Sequence, residues 1–117
     1  MLIVDDDPYF RFALATILAA DEKLEFVVSE AGDGDAALES IAAHEPDVVV
    51  LDLEMPRMDG LALARAIRQR WRDLRLVMMT AFDSPETRER AEQAGVDAFL
   101  GKSTLPDLRL SEFLSQR

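Results

Sequence analysis

Short apolar runs alternate along the chain with stretches in which apolar residues return at helical spacing. Leu2-Ile3-Val4 forms the first run and ends in Asp5-Asp6-Asp7. Asp7 followed by Pro8 reads as a helix cap and first-turn proline. Phe10, Ala13, Leu14, Ile17 and Leu18 then keep a helical period. Phe26-Val27-Val28 predicts a second, shorter strand, and Gly32 and Gly34 bound a turn. Ala36 to Ala43 predicts a helix with Ala37, Leu38 and Ile41 inward, stopped by Pro46. Val48-Val49-Val50-Leu51 is the clearest strand, apolar throughout as in a parallel sheet covered on both faces. Asp52 ends it, and a loop from Glu54 to Gly60 leads into a helix over about Leu61 to Arg70. Leu76-Val77-Met78-Met79 is another buried strand, ended by Thr80. Ser84-Pro85-Glu86 opens a helix that Gly95 closes. Ala98-Phe99-Leu100 is a last short strand before Gly101-Lys102, and Leu105, Leu108, Phe113 and Leu114 predict a less regular final helix.

Repeated strand–helix units argue for an α/β fold: a doubly wound, five-stranded parallel sheet of flavodoxin-like order 2-1-3-4-5, with helices on both faces. Ligands of such sheets bind beyond the carboxyl ends of the strands. Asp5 and Asp6 follow strand 1, Asp52 strand 3, Thr80 strand 4 and Lys102 strand 5. The predicted order gathers these carboxylates, one hydroxyl and one ammonium along a single edge. Crowded carboxylates repel, so the pKa of at least one should rise in the absence of a cation. An all-oxygen ligand set suits Mg²⁺, with Mn²⁺ as a substitute. Asp52, at its strand end, is the best-placed nucleophile, able to attack phosphorus and give an acyl phosphate. Mg²⁺ and Lys102 would neutralise the phosphoryl oxygens.

Composition narrows the choices. The chain has 117 residues, enough for one domain. The absence of cysteine excludes disulfides, zinc–cysteine sites and a thiol nucleophile, and His44 is the single histidine. No membrane span or signal peptide is visible, which points to the cytoplasm. A net charge of −10 argues against direct binding to nucleic acid and for a divalent cation.

These residues place the chain beside a known family. It resembles the receiver domain of bacterial two-component response regulators over nearly its full length. The matching stretches are Leu2 to Pro8, Asp47 to Pro56, Met58-Asp59-Gly60, Met79-Thr80-Ala81, Ala94 to Phe99 and Lys102. The resemblance implies that Asp52 accepts a phosphoryl group from a sensor histidine kinase. It implies that Asp6 and Asp52 bind Mg²⁺ directly, with the backbone carbonyl of Glu54 as a further ligand and Asp5 acting mainly through water. Lys102 would contact the phosphoryl group, Thr80 would swing toward it, and Phe99 would follow as an aromatic switch. Glu54 and Phe82 would flank the path of the hydrolytic water and tune dephosphorylation, which is expected to be slow to moderate.

Ser103 after Lys102, in place of a common proline, is more like receivers attached to a C-terminal helix-turn-helix DNA-binding domain, and it leaves the geometry of that peptide open. The chain begins almost on its first strand, and Leu105 to Leu110 is short for a last helix. Both fit residues 1–117 as a single receiver domain trimmed from a longer regulator. Its output would be that DNA-binding domain or a downstream protein, with homodimerisation on phosphorylation as a further expectation. Phe99 reads equally as a plain core aromatic. His44 reads as an exposed helix end, Trp71 as partial core or a surface patch, and Arg65, Arg68, Arg70, Arg72 and Arg75 as a solvated basic face or a dock for an acidic partner. Two alternatives remain open: a degenerate receiver acting as a constitutive protein-binding module, and a phosphatase using an aspartyl-phosphate intermediate. The second is weakened by Glu54, which stands where such enzymes carry a second Asp.

Overall fold

The structure, a computed structural model, describes residues 1–20, 28–55 and 58–102. The elements run β1 (Leu2–Val4), α1 (Pro8–Ala19), β2 (Ser29–Ala31), α2 (Gly34–His44), β3 (Val48–Asp52), β4 (Glu54–Met55), β5 (Met58–Asp59), α3 (Gly60–Arg70), β6 (Arg75–Thr80), α4 (Pro85–Gln93) and β7 (Ala98–Gly101). Five strands form one parallel sheet in the order β2-β1-β3-β6-β7. Numbered as sheet strands, this is the predicted 2-1-3-4-5.

The apolar runs divide between two cores by strand alternation. Leu2, Val4, Val49, Leu51, Leu76 and Met78 pack on one face with Ala37 and Ile41 of α2 and Leu63, Ala64 and Ile67 of α3. Ile3, Val48, Val50, Val77 and Met79 pack on the other with Leu14 and Leu18 of α1. Trp71 lies half-buried against the first core, and His44 ends α2 exposed, both as expected.

Local chemistry sets the helix starts. Asp7 accepts the Tyr9 amide at 2.9 Å with Pro8 in the first turn, and Ser84 accepts the Thr87 amide at 3.2 Å before Pro85. Asp59 caps α3 through the Leu61 amide at 2.9 Å. Helix α2 ends one residue before Glu45, whose φ of 45° carries the chain out ahead of Pro46.

Three expectations change. The second strand lies at Ser29–Ala31 rather than 26–28: Val28 precedes it, and Phe26 and Val27 fall outside the described residues. Its register explains the shift, because Ala31 must pair with Val4 for the strand to lie along β1. The loop after β3 contains a two-stranded antiparallel ribbon, β4 with β5, too short to show a period. The basic face is in part a strut. Arg68 donates from Nε to Gly95 O at 2.9 Å, from one terminal nitrogen to Arg72 O and Leu74 O at 2.7 Å each, and from the other to Asp97 Oδ2 at 2.8 Å. Asp97 also takes the Leu76 amide at 2.9 Å. Gly95, at φ 94°, admits this because a Cβ there would stand 2.8 Å from Arg68 Cγ. The strut thus fixes where β6 begins and how β7 is entered. The predicted final helix and the Lys102–Ser103 peptide lie outside the described residues.

Arg68→Ala is expected to cost about 2 kcal/mol, since several loop carbonyls lose a charged donor. Thermal denaturation should read this as a fall of roughly 8 °C in midpoint. An unchanged midpoint would make Arg68 one more solvated charge.

Candidate functional site

Strand register brings the polar residues together. Val4 pairs with Leu51, Asp52 with Met79 and Thr80 with Gly101. Asp5 just after β1, Asp52 ending β3, Thr80 ending β6 and Lys102 just after β7 therefore share one edge of the sheet. Asp5, Asp52 and Thr80 are buried, while Asp6 stands exposed beside them.

The centre of the cluster is Lys102. Its Nζ lies 2.9 Å from Asp5 Oδ2 and 3.4 Å from Asp52 Oδ2. The ring of Phe10 lies beneath the ammonium, 4.1 Å from Nζ to centroid, an aromatic face that favours a cation. Burial works against the Lys102 charge, but the Asp5 hydrogen bond and the attraction of both carboxylates outweigh it and raise its pKa. Asp52 shifts the other way from an ordinary carboxylate. Burial first, and then repulsion from Asp5, push its pKa up to about 7, with Lys102 opposing. Such a rise in at least one carboxylate is what the crowding of acidic residues in the sequence predicts.

The loop after β3 holds Asp52 from the other side. The Glu54 amide donates to Asp52 Oδ1 at 3.2 Å, and the Leu53 amide donates to Met79 O at 2.9 Å. Gly60 is required by close approach: a Cβ there would lie 2.6 Å from Asp52 O and 2.7 Å from Leu53 Cα. Asp5 is similarly engaged, its Oδ1 taking the Asp7 amide at 2.9 Å while Oδ2 faces Lys102.

Carboxylate oxygens of Asp5, Asp6 and Asp52 lie within 4.8 Å of one another. An all-oxygen, anionic set of this kind fits a hard divalent cation. Among the described residues this is the one group of three or more such side chains able to hold a metal.

Two predicted residues sit differently from one another. Phe99 is half-buried against the larger core, with the Arg88 guanidinium 5.2 Å from its ring centroid. Phe82 is 75 % exposed, and its amide donates to Thr80 Oγ1 at 3.0 Å. The contact of the Glu54 side chain with Thr80 is not among the sequence expectations, which place that side chain only beside the path of the hydrolytic water. The Glu54 carboxylate accepts a hydrogen bond from the Thr80 hydroxyl and approaches the Ala81 amide at 3.4 Å. The signal was the pairing of Asp52 with Met79, which brings the residue two beyond Asp52 next to the end of β6. Phe10 beneath Lys102 was also missed, because its helical period assigned it only to the core.

Comparison with known proteins identifies a family and a shared fold. The response regulator receiver domain model matches residues 1–111. The probable transcriptional regulatory protein NarL of Mycobacterium tuberculosis is 40 % identical over 104 residues, covering 89 % of this chain and 48 % of that protein. The chain spans about half the length of the curated relatives it matches. Among solved structures, the Vibrio cholerae chemotaxis protein CheY4 superposes with TM-score 0.85 at 27 % identity, covering 96 % of this chain and 92 % of that one. The BeF₃-activated receiver domain of Klebsiella pneumoniae RstA superposes with TM-score 0.85 at 31 % identity, covering 98 % and 97 %.

The raised Asp52 pKa has a consequence for stability. Between the ordinary value of 3.8 and the folded value of about 7, the folded state holds a proton that the unfolded chain has released. Stability from this group is therefore full below the lower value and is lost as pH rises through the upper one. Without metal, Asp52→Asn should be more stable than the parent at pH 8 by about 1–3 kcal/mol, with a clearly smaller advantage at pH 4. Urea unfolding of both proteins at the two pH values checks this. An advantage independent of pH would contradict the raised Asp52 pKa and its assignment to burial and repulsion.

Proposed function

The chain belongs to the response regulator receiver domain family, and on that premise we propose that it is a phosphorylation-controlled switch of a two-component system with Asp52 as its phosphoryl acceptor. The observation that carries this reading is Lys102 standing between Asp5 and Asp52 at the sheet edge. An Asp52 oxygen forms the new O–P bond as the P–N bond of a donor phosphohistidine breaks. The electron pair of that bond stays on the imidazole nitrogen. Lys102, already held at Asp52 Oδ2, is placed to neutralise phosphoryl oxygens. Asp6, Asp52 and the Glu54 carbonyl would hold Mg²⁺, or Mn²⁺ in its place. Asp5, whose two oxygens are already engaged, acts through water. The bound ion supplies positive charge for the phosphoryl oxygens.

Residues 1–117 act as one receiver domain in the cytoplasm. Among the described residues, no helix is long and apolar enough to cross a membrane. The partners of this reading are a sensor histidine kinase and either a C-terminal DNA-binding domain or a downstream protein, with dimerisation on phosphorylation. The net charge of −10 keeps the domain itself off nucleic acid. Its chemistry is confined to its own phosphotransfer and the later loss of the phosphoryl group to water, whose rate Glu54 and Phe82 tune. Thr80 and Phe99 carry the change outward: phosphorylation adds a charge of about −1.5 to −2 and new acceptor oxygens beside the Thr80 hydroxyl.

Incubation with acetyl phosphate and Mg²⁺ should add one phosphoryl group to the intact mass. The gain should vanish in Asp52→Asn and with a chelator. A folded parent that gains nothing, from acetyl phosphate or from a phosphohistidine donor, would contradict the reading and leave a constitutive binding module.

A further inference from the structure

Residue 54 touches both ends of the proposed switch. Its amide donates to Asp52 Oδ1 at 3.2 Å, and its carboxylate accepts from the Thr80 hydroxyl. The same carboxylate approaches the Ala81 amide at 3.4 Å. Thr80 Oγ1 in turn accepts the Phe82 amide at 3.0 Å, so its one proton is directed at Glu54. The Thr80 side chain is buried, and these contacts fix the hydroxyl as both donor and acceptor.

From this geometry we infer that the Glu54 carboxylate is an internal occupant of the Thr80 and Ala81 donors, a positioning residue that must release them before phosphoryl oxygens on Asp52 can take them. This rests on the proposed phosphoacceptor role of Asp52. The physical reason is competition. A hydroxyl has one proton to give, and an anionic acceptor holds it more firmly than a neutral one. A phosphoryl group on Asp52 would bring acceptor oxygens to the same strand end, and they would share those donors with Glu54 only at the cost of like-charge repulsion. Glu54 thereby sets the threshold of the switch: it keeps Thr80 committed in the unmodified protein and leaves when a stronger anion arrives. Because its backbone is also bonded to Asp52, a change at the acceptor is passed to Thr80 through one residue.

The test compares the parent with Glu54→Ala and Glu54→Asp. The first removes the carboxylate. The second keeps its charge but shortens it by one methylene, withdrawing it from Thr80. With acetyl phosphate and Mg²⁺, both variants should be labelled about five- to tenfold faster than the parent, the equivalent of losing one charged hydrogen bond at a partly exposed site. Beryllofluoride with Mg²⁺ should bind both variants more tightly by a similar factor. With no phosphoryl donor present, the Ala81 and Phe82 amide resonances should move in both variants, while those of core strand β1 stay in place. Faster labelling of Glu54→Ala alone, with Glu54→Asp equal to the parent, would mean that Glu54 acts only through its charge and would overturn the inference. Unmoved Ala81 and Phe82 amides would overturn it independently of any phosphorylation. If no protein, the parent included, is labelled or binds beryllofluoride, the phosphoacceptor reading itself falls and the competition falls with it, and the amide resonances still decide whether Glu54 holds Thr80.

Discussion

Lys102 stands 2.9 Å from Asp5 and 3.4 Å from Asp52, at the end of a sheet whose central strands are apolar in their interiors. Two buried carboxylates brought this close repel. At about 4 Å and an effective dielectric constant of about 20, a pair of unit charges interacts by about 4 kcal/mol. The ammonium offsets part of that repulsion, and burial first, with the remaining repulsion second, raises the Asp52 pKa. Much around the cluster serves to hold this arrangement. Phe10 supports the ammonium, the Asp7 and Glu54 amides each hold one carboxylate oxygen, and Gly60 lets the next helix start against the Asp52 backbone. The site is kept in tension, ready for a cation or for a group that changes its charge.

That tension also sets the edge apart from the rest of the molecule. The apolar interiors of β1, β3 and β6 bind nothing polar, so each strand discharges its first polar residue at the same level. At the opposite end of the sheet, Arg68 and Asp97 tie the entry to β6 to the entry to β7. One end is stitched by satisfied hydrogen bonds, and the other is left with carboxylates that gain from a further partner. Glu54 connects the Asp52 carboxylate to the Thr80 hydroxyl across that second end.

The readable part of the fold was the part governed by periodicity. Val48 to Leu51 and Leu76 to Met79 are apolar throughout and fall in the central strands. Strand β2 was misplaced because Ser29-Glu30-Ala31 carries no apolar run: its place follows from pairing with β1, which a local pattern does not contain. Asp5, Asp52, Thr80 and Lys102 were readable because each ends an apolar run, and the sheet order makes those ends neighbours. Glu54, Phe10 and Arg68 were not readable in their contacts. Each acts through a partner distant in sequence: Thr80, Lys102 and Asp97. Residue type alone offers a glutamate, an aromatic and an arginine with many ordinary uses.

Asp5, Lys102 and Asp52 form one electrostatic unit whose strain a cation relieves. Its most direct test is a site-resolved ¹³C NMR titration of the Asp52 carboxyl, first without metal and then with saturating Mg²⁺. The expected midpoint is about 7 in the metal-free protein, moving into the ordinary carboxylate range or below when Mg²⁺ is bound. A midpoint already near 4 without metal, and indifferent to Mg²⁺, would contradict it.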